Sequence, residues 1–259
     1  MGNTVNVREI IAETREAAHE EAAAQLQQRF GGDPRRGVQD ALLRMHKRLE
    51  AIDAERIRTE ALYAEIRAAG RGAVVVGIDE VGRGAIAGPL TVAAVVLPLE
   101  PLIFGLNDSK KLSPARREEL SADIRTQACA IGIAHVPPDA IDKHGMSACL
   151  RAAMRRALEN TNLTPDLVLI DGNPVHIHVR ERCIVKGDGK VACIAAASII
   201  AKTTRDHIMI DAHARYPGYG FAESKGYGSA AHIEAVKHQG LTEFHRASFC
   251  TGFFQDTLF

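Results

Sequence analysis

Four carboxylates occur where short apolar runs end. Asp79 and Glu80 close AVVVGID (residues 73–79) and open the glycine-rich stretch after it; Asp171 closes LVLID just before Gly172; Asp188 follows the strand-like CIVKG. Strand ends are where open α/β sheets place their ligands. Carboxylates at the ends of neighbouring strands approach within a few ångström, repel one another and need a cation to stay ionised together. A set built only of hard oxygen donors selects Mg²⁺ or Mn²⁺ over zinc. Any one of these aspartates alone reads more simply as a turn former, since Asp-Gly is a common turn signal; it is their recurrence at strand ends that points to metal chemistry. Adjacent strand residues face opposite sides, so Asp79 and Glu80 serve one metal cluster only if the strand bends there or one of them uses its backbone carbonyl.

Further candidates surround these acids. Gly82-Arg83-Gly84 follows Glu80 at once and, with Gly88, superficially suggests a dinucleotide loop. Such a loop must lead into a helix, whereas Pro89 and the β-branched residues from Thr91 start a strand, so that reading is rejected. Glycines flanking an arginine instead let the backbone press against a sugar or phosphate, or simply make a hairpin turn. Ser109, Lys110 and Lys111 offer a hydroxyl and two ammonium groups at the mouth of a helix, and Lys186 lies in a similar mixture of base and acid, KGDGK. Lys202 and Asp206 stand one helical turn apart, the spacing of an ordinary salt bridge, although Asp206 is also a rival fourth carboxylate. Tyr227, between two glycines, is placed to stack on a base or sugar if exposed.

These residues need a scaffold of alternating strands and helices. Runs 73–79 and 91–97 read as a short antiparallel hairpin, 128–136 and 167–170 as further strands. Helices are expected at Pro114–Gln127, capped by Ser113, at Ser147–Glu159, from Ala192 to about His213, and at Ser229–His238. That order fits a mixed sheet flanked by helices. Before residue 70 the texture differs: Ala, Glu, Arg and Gln dominate, and Val38, Leu42, Met45, Leu49 and Ile52 form one apolar helical stripe. Two helices are expected there, Val7–Phe30 and a second reaching about Ala69, separated by Gly31-Gly32-Asp33-Pro34.

Composition narrows the classes. Lysine plus arginine equals aspartate plus glutamate at 32 each in 259 residues, so bulk charge points to no charged partner. The longest mostly apolar run, Val191–Ala201 with Ser198 inside it, is too short to span a bilayer, and the start of the sequence lacks the apolar core of a signal peptide; no membrane association and a cytoplasmic location are expected. Five cysteines without a C-x-x-C pair fit neither a disulfide framework nor a zinc cluster.

Taken in order, GIDEVGRGAIAGPL, LNDSKKLS, LVLIDGN, IVKGD, AAASIIAKTTRD, ESKGYGSAAH and HRASF resemble bacterial ribonuclease HII, over roughly Val74 to Phe249. The resemblance implies a ribonuclease H-like α/β fold, with a mixed five-stranded sheet flanked by helices over residues 71–259 and an N-terminal helical extension over residues 1–70. It implies an endonuclease that cleaves RNA in RNA/DNA hybrids and nicks duplex DNA at single ribonucleotides, leaving 3′-hydroxyl and 5′-phosphate ends. Its carboxylate set falls on Asp79, Glu80, Asp171 and Asp188, which would hold two Mg²⁺ or Mn²⁺ ions around the scissile phosphate. The motif that senses the 2′-hydroxyl falls on Gly82, Arg83 and Gly84, and the sugar-stacking tyrosine on Tyr227. Ser109, Lys110, Lys111, Lys186 and Lys202 are expected substrate contacts, and a monomer is expected. The extension is a possible aid to substrate binding through Arg35, Arg36, Arg44, Lys47 and Arg48. Ribonuclease HIII or a junction-resolving enzyme would share the carboxylates but differ in substrate.

Overall fold

A computed structural model of the chain describes residues 5–254. Two compact units divide it inside a long helix, one running up to Arg58 and the other from Thr59 onward.

In the first unit, α1 (Val7–Glu16) and α2 (Glu20–Phe30) precede α3 (Arg36–Leu62). The single helix expected over Val7–Phe30 is thus broken. Ala17 leaves helical geometry with ψ 111°, and the carbonyls this frees at Thr14, Arg15 and Ala17 accept hydrogen bonds from the Arg48 guanidinium. The break lets Ile10, Ala17, Leu26 and Phe30 pack with Val38, Leu42, Met45 and Leu49 in one core. Ile52, expected to extend that stripe, is 55% exposed.

In the second unit α3 stops at Leu62, and α4 (Ala64–Ala68) follows after Tyr63. The Tyr63 ring is fully buried and its hydroxyl accepts from the Ile103 amide at 3.2 Å, which interrupts the helix expected to continue to Ala69. Five strands follow: β1 (Val75–Val81), β2 (Leu90–Val96), β3 (Ala130–Val136), β4 (Leu167–Asp171) and β5 (Glu181–Ile184), in the spatial order β3-β2-β1-β4-β5. The β1/β2 and β2/β3 pairs are antiparallel; β1/β4 and β4/β5 are parallel. The fold is therefore the mixed five-stranded sheet of the expectation. The last strand ends earlier than CIVKG suggested, because Lys186 takes a left-handed conformation (φ 56°).

Helices cover both sheet faces: α5 (Pro114–Gln127), α6 (Pro138–His144), α7 (Met146–Glu159) and α8 (Ala192–Arg215), then α9 (Phe221–Ser224), α10 (Ala230–Gln239) and α11 (Ala247–Cys250). Along β1, Val75 belongs to the core shared with α8, whereas Val76 and Ile78 belong to the core shared with α7. Alternation then assigns Asp79 to the α8 side and Glu80 to the α7 side. The start of α8 comes so close to β1 that a Cβ on Gly77 would lie 2.2 Å from the Cys193 carbonyl carbon, and Ala192, Ala195, Ala196 and Ala197 keep the helix slim there. The apolar run Val191–Ala201 is thus a core helix, and no helix among the described residues is long and apolar enough to cross a membrane.

Candidate active site

The carboxyl ends of β1 and β4 bring two acids side by side, and a short turn supplies a third. Asp79, Asp171 and Asp188 each place a carboxylate oxygen within 4.8 Å of the others. Asp188 rides on the single 3₁₀ turn Gly187–Gly189, and the Gly187 amide donates to Asp171 Oδ1 at 2.6 Å, so one turn presents one acid and fixes another. Asp79 accepts from the Glu80 amide at 2.7 Å, and beside it the Ser198 hydroxyl donates to that of Ser109 at 3.0 Å. A cavity of about 360 Å³ opens over these groups, with Lys110, Lys202 and Tyr227 on its wall.

The electrostatics are those of a site awaiting positive charge. Burial, followed by the charge of Glu80, pushes Asp79 well above the usual carboxylate range; the Ser198 hydrogen bond opposes the shift and the charge of Asp171 adds to it. Glu80 is raised by burial, with Arg83 pulling the other way from 3.8 Å. Asp188 is raised by burial and then by the neighbouring charges of Asp108 and Asp171. Like charges sharing a partly dry pocket ionise together only when a cation compensates them.

The sequence-derived candidates separate into groups. Glu80 lines the cavity but stands outside the aspartate triad, in keeping with its place on the α7 side of β1. Gly82 is buried with φ +86°, while Arg83 and Gly84 are exposed at the turn. Tyr227 is 38% exposed, with its ring 5.4 Å from the Arg205 guanidinium carbon. Lys110 and Lys202 face the cavity, and Lys202 is held by Asp206 at 2.7 Å, the ordinary salt bridge its spacing suggested. Ser109 is 4% exposed and serves the Ser198 hydrogen bond. Lys111 and Lys186 are exposed and lie outside the cavity lining.

This geometry can be set beside known proteins. The ribonuclease HII family profile matches residues 76–252, and that of the ribonuclease HII N-terminal domain matches residues 6–65. Ribonuclease HII of Bacillus mycoides (strain KBAB4) is 43% identical over 220 residues, covering 84% of this chain and 85% of that protein. The chain belongs to the ribonuclease HII family. It is accordingly a ribonuclease H of type 2, an endonuclease. Ribonuclease HII of Ligilactobacillus salivarius (strain UCC118) is 38% identical over 241 residues, covering 92% of this chain and 94% of that protein. In the solved PCNA:RNase HII complex from Archaeoglobus fulgidus, the matching chain is 27% identical with a TM-score of 0.59, covering 71% of this chain and 98% of that one.

For a ribonuclease HII site, sequence reasoning missed Ser198 and Asp108. Ser198 is the one hydroxyl in the otherwise apolar stretch Ala192–Ala201, and that break in pattern was the available signal. Asp108 caps the turn Ser109–Lys111 by accepting from the Lys110 amide at 3.0 Å while its charge acts on Asp188. Its sequence context reads as a cap, and only the fold brings it to Asp188.

Proposed function

We propose that this chain cleaves the RNA strand of RNA/DNA hybrids and nicks duplex DNA at single ribonucleotides, hydrolysing the phosphodiester to 3′-hydroxyl and 5′-phosphate ends. The observation that carries the reading is the meeting of the aspartate triad with Tyr227 around one cavity. The donor set is entirely carboxylate oxygen in a pocket that raises the pKa values of Asp79 and Asp188, which suits hard divalent cations, Mg²⁺ or Mn²⁺. Asp79, Asp171 and Asp188 would hold them, with Glu80 as a fourth carboxylate at the rim. Bound there, a pair of such ions supplies electrophilic assistance to the scissile phosphate, its attacking water and its leaving oxygen.

The chain's own residues bind and orient. The Gly187 amide holds Asp171 and the Glu80 amide holds Asp79, both at the cavity. Lys110 and Lys202 add positive charge beside the phosphate path, and Tyr227 offers a half-exposed ring to the sugar. The backbone of Gly82–Gly84 is the reader of the 2′-hydroxyl, the group by which a protein tells RNA from DNA. A monomer acting in the cytoplasm is part of this proposal.

The test compares a long hybrid, a duplex with one embedded ribonucleotide and an all-DNA duplex, each with Mg²⁺ and with Mn²⁺. Cutting of the first two and not the third is expected; failure on the single ribonucleotide, or equal cutting of DNA, would sink the reading. The N-terminal helical unit we assign to substrate binding. Arg35 is engaged by Asp33, Arg48 by the carbonyls ending α1 and Arg36 by Asp40 at 3.8 Å, while Arg44 and Lys47 are exposed. Arg44→Glu with Lys47→Glu should weaken hybrid affinity, and unchanged affinity would remove the assignment.

A further inference from the structure

Arg205, on α8, is fully buried, yet none of its three hydrogen bonds goes to a carboxylate. Its Nε donates to the Pro89 carbonyl at 2.8 Å and its Nη2 to the Ala87 carbonyl at 2.9 Å. Its Nη1 donates to the Lys225 carbonyl at 2.7 Å, two residues before Tyr227. The guanidinium therefore joins the segment that follows the Gly-Arg-Gly turn to the segment that carries the tyrosine. Both motifs also rest directly on it. A Cβ on Gly82 would stand 2.3 Å from Arg205 Nε, so the turn can settle here only because glycine occupies that position, and the Tyr227 ring lies on the guanidinium carbon at 5.4 Å. Around this contact the two segments are bonded to each other, the Ile86 and Ala87 amides both donating to the Gly226 carbonyl. A second buried guanidinium, Arg246, donates to the carbonyls of Gly88 and Arg83 and secures the far side of the turn.

Burying a guanidinium is costly, and a well-packed apolar side chain would fill the same volume without that cost. What an apolar side chain could not do is hold three carbonyls on two separate segments at fixed spacing through one rigid, planar fork.

We infer that Arg205 is a specificity-determining positioning residue: it sets the distance between the Gly82–Gly84 turn and Tyr227, so that a ribose is gauged between the two. The inference rests on the reading that this turn and this tyrosine contact the substrate sugar. Arg205 itself touches no substrate and acts through both.

Four proteins test it: wild type, Arg205→Lys, Tyr227→Ala and the double variant. The measurements are kcat/KM on a duplex with one ribonucleotide, the inhibition constant of the matching all-DNA duplex, and Tm. Arg205→Lys keeps the charge and loses the fork. It is expected to lower kcat/KM roughly 10- to 100-fold, the scale of a misplacement of about 1 Å, while the all-DNA inhibition constant stays at the wild-type value. The double variant should lose less than the product of the two single losses, because both changes damage one device. Multiplying losses, wild-type kcat/KM in Arg205→Lys beside an impaired Tyr227→Ala, or equal weakening on both duplexes would each overturn the inference. Wild-type kcat/KM in Tyr227→Ala would instead bring down the underlying reading. Should Arg205→Lys not fold, Arg205→Gln replaces it, and failure of both to fold overturns the inference by making Arg205 a structural residue first.

Discussion

Asp79 concentrates the tension of the site: it is 6% exposed and lies beside two other carboxylates. That arrangement is unfavourable without a cation, so the residue that serves the chemistry also weakens the metal-free protein. Asp79→Asn and Asp171→Asn should each abolish cleavage while leaving duplex binding largely intact. In metal-free buffer at pH 7, Asp79→Asn should melt no lower than wild type, and is expected to be more stable by roughly 0.5–2 kcal/mol because a buried repulsion is removed. Wild-type turnover in either variant would refute the assignment. Metal addition gives a second reading of the same residue. Mg²⁺ at about 100 times its dissociation constant should stabilise wild type by about 2.7 kcal/mol and Asp79→Asn by markedly less, as followed by thermal melting; equal stabilisation would remove Asp79 from the ligand set.

Among the elements, the contact of α8 with β1 does most to set the site, since α8 carries Ser198, Lys202 and Arg205 past the strand that carries Asp79. That approach depends on Gly77, because a methyl there would run into the Cys193 backbone, which cannot swing aside as a side chain would. Gly77→Ala should cost at least about 2 kcal/mol, lowering Tm by roughly 4–8 °C. An unchanged Tm would mean that the helix can stand off the strand. Most of this layer was legible in the sequence. The β-branched runs at 73–79 and 91–97, within one or two residues of β1 and β2, and the Ser113-Pro114 start of α5 carry their own signals, and the acids at the carboxyl ends of β1 and β4 follow from them. The approach of Asp188 to Asp79 was legible only as a family pattern, because it depends on the turn after β5 folding back over the sheet. The break between α1 and α2 was hidden because Arg48, the side chain that satisfies its freed carbonyls, lies on another helix. Arg205 and Arg246 were hidden for the same reason, since the carbonyls of Ala87, Pro89, Gly88 and Arg83 that they hold lie more than a hundred residues earlier in the chain.

At the scale of the whole molecule, 32 bases balance 32 acids, and the total conceals the distribution. Acids converge on the proposed metal centre while Lys110 and Lys202 line its wall, so metal loading turns the working surface positive and hybrid affinity should fall as salt rises. Stability should also fall with acid, through a pair of buried histidines. His232 Nε2 and His245 Nε2 lie 3.1 Å apart, and the amide of Thr242 donates to His245 Nδ1. Burial holds both rings below the usual histidine range, His245 at about 4. The unfolded chain takes up protons at these positions near pH 6.5 and the folded chain does not, so their contribution is complete above that pH and drains away toward pH 4. Between pH 7 and pH 5 the pair should cost wild type on the order of 2 kcal/mol, and His245→Gln should show a smaller drop in Tm over that interval; an identical drop would contradict the assignment. The most direct test of the account is cleavage mapping of an end-labelled duplex carrying one ribonucleotide, with Mg²⁺, Mn²⁺ and EDTA compared side by side. The account predicts a single nick at the ribonucleotide with 3′-hydroxyl and 5′-phosphate ends in either metal and none in EDTA; no product in either metal, or product in EDTA, would contradict it.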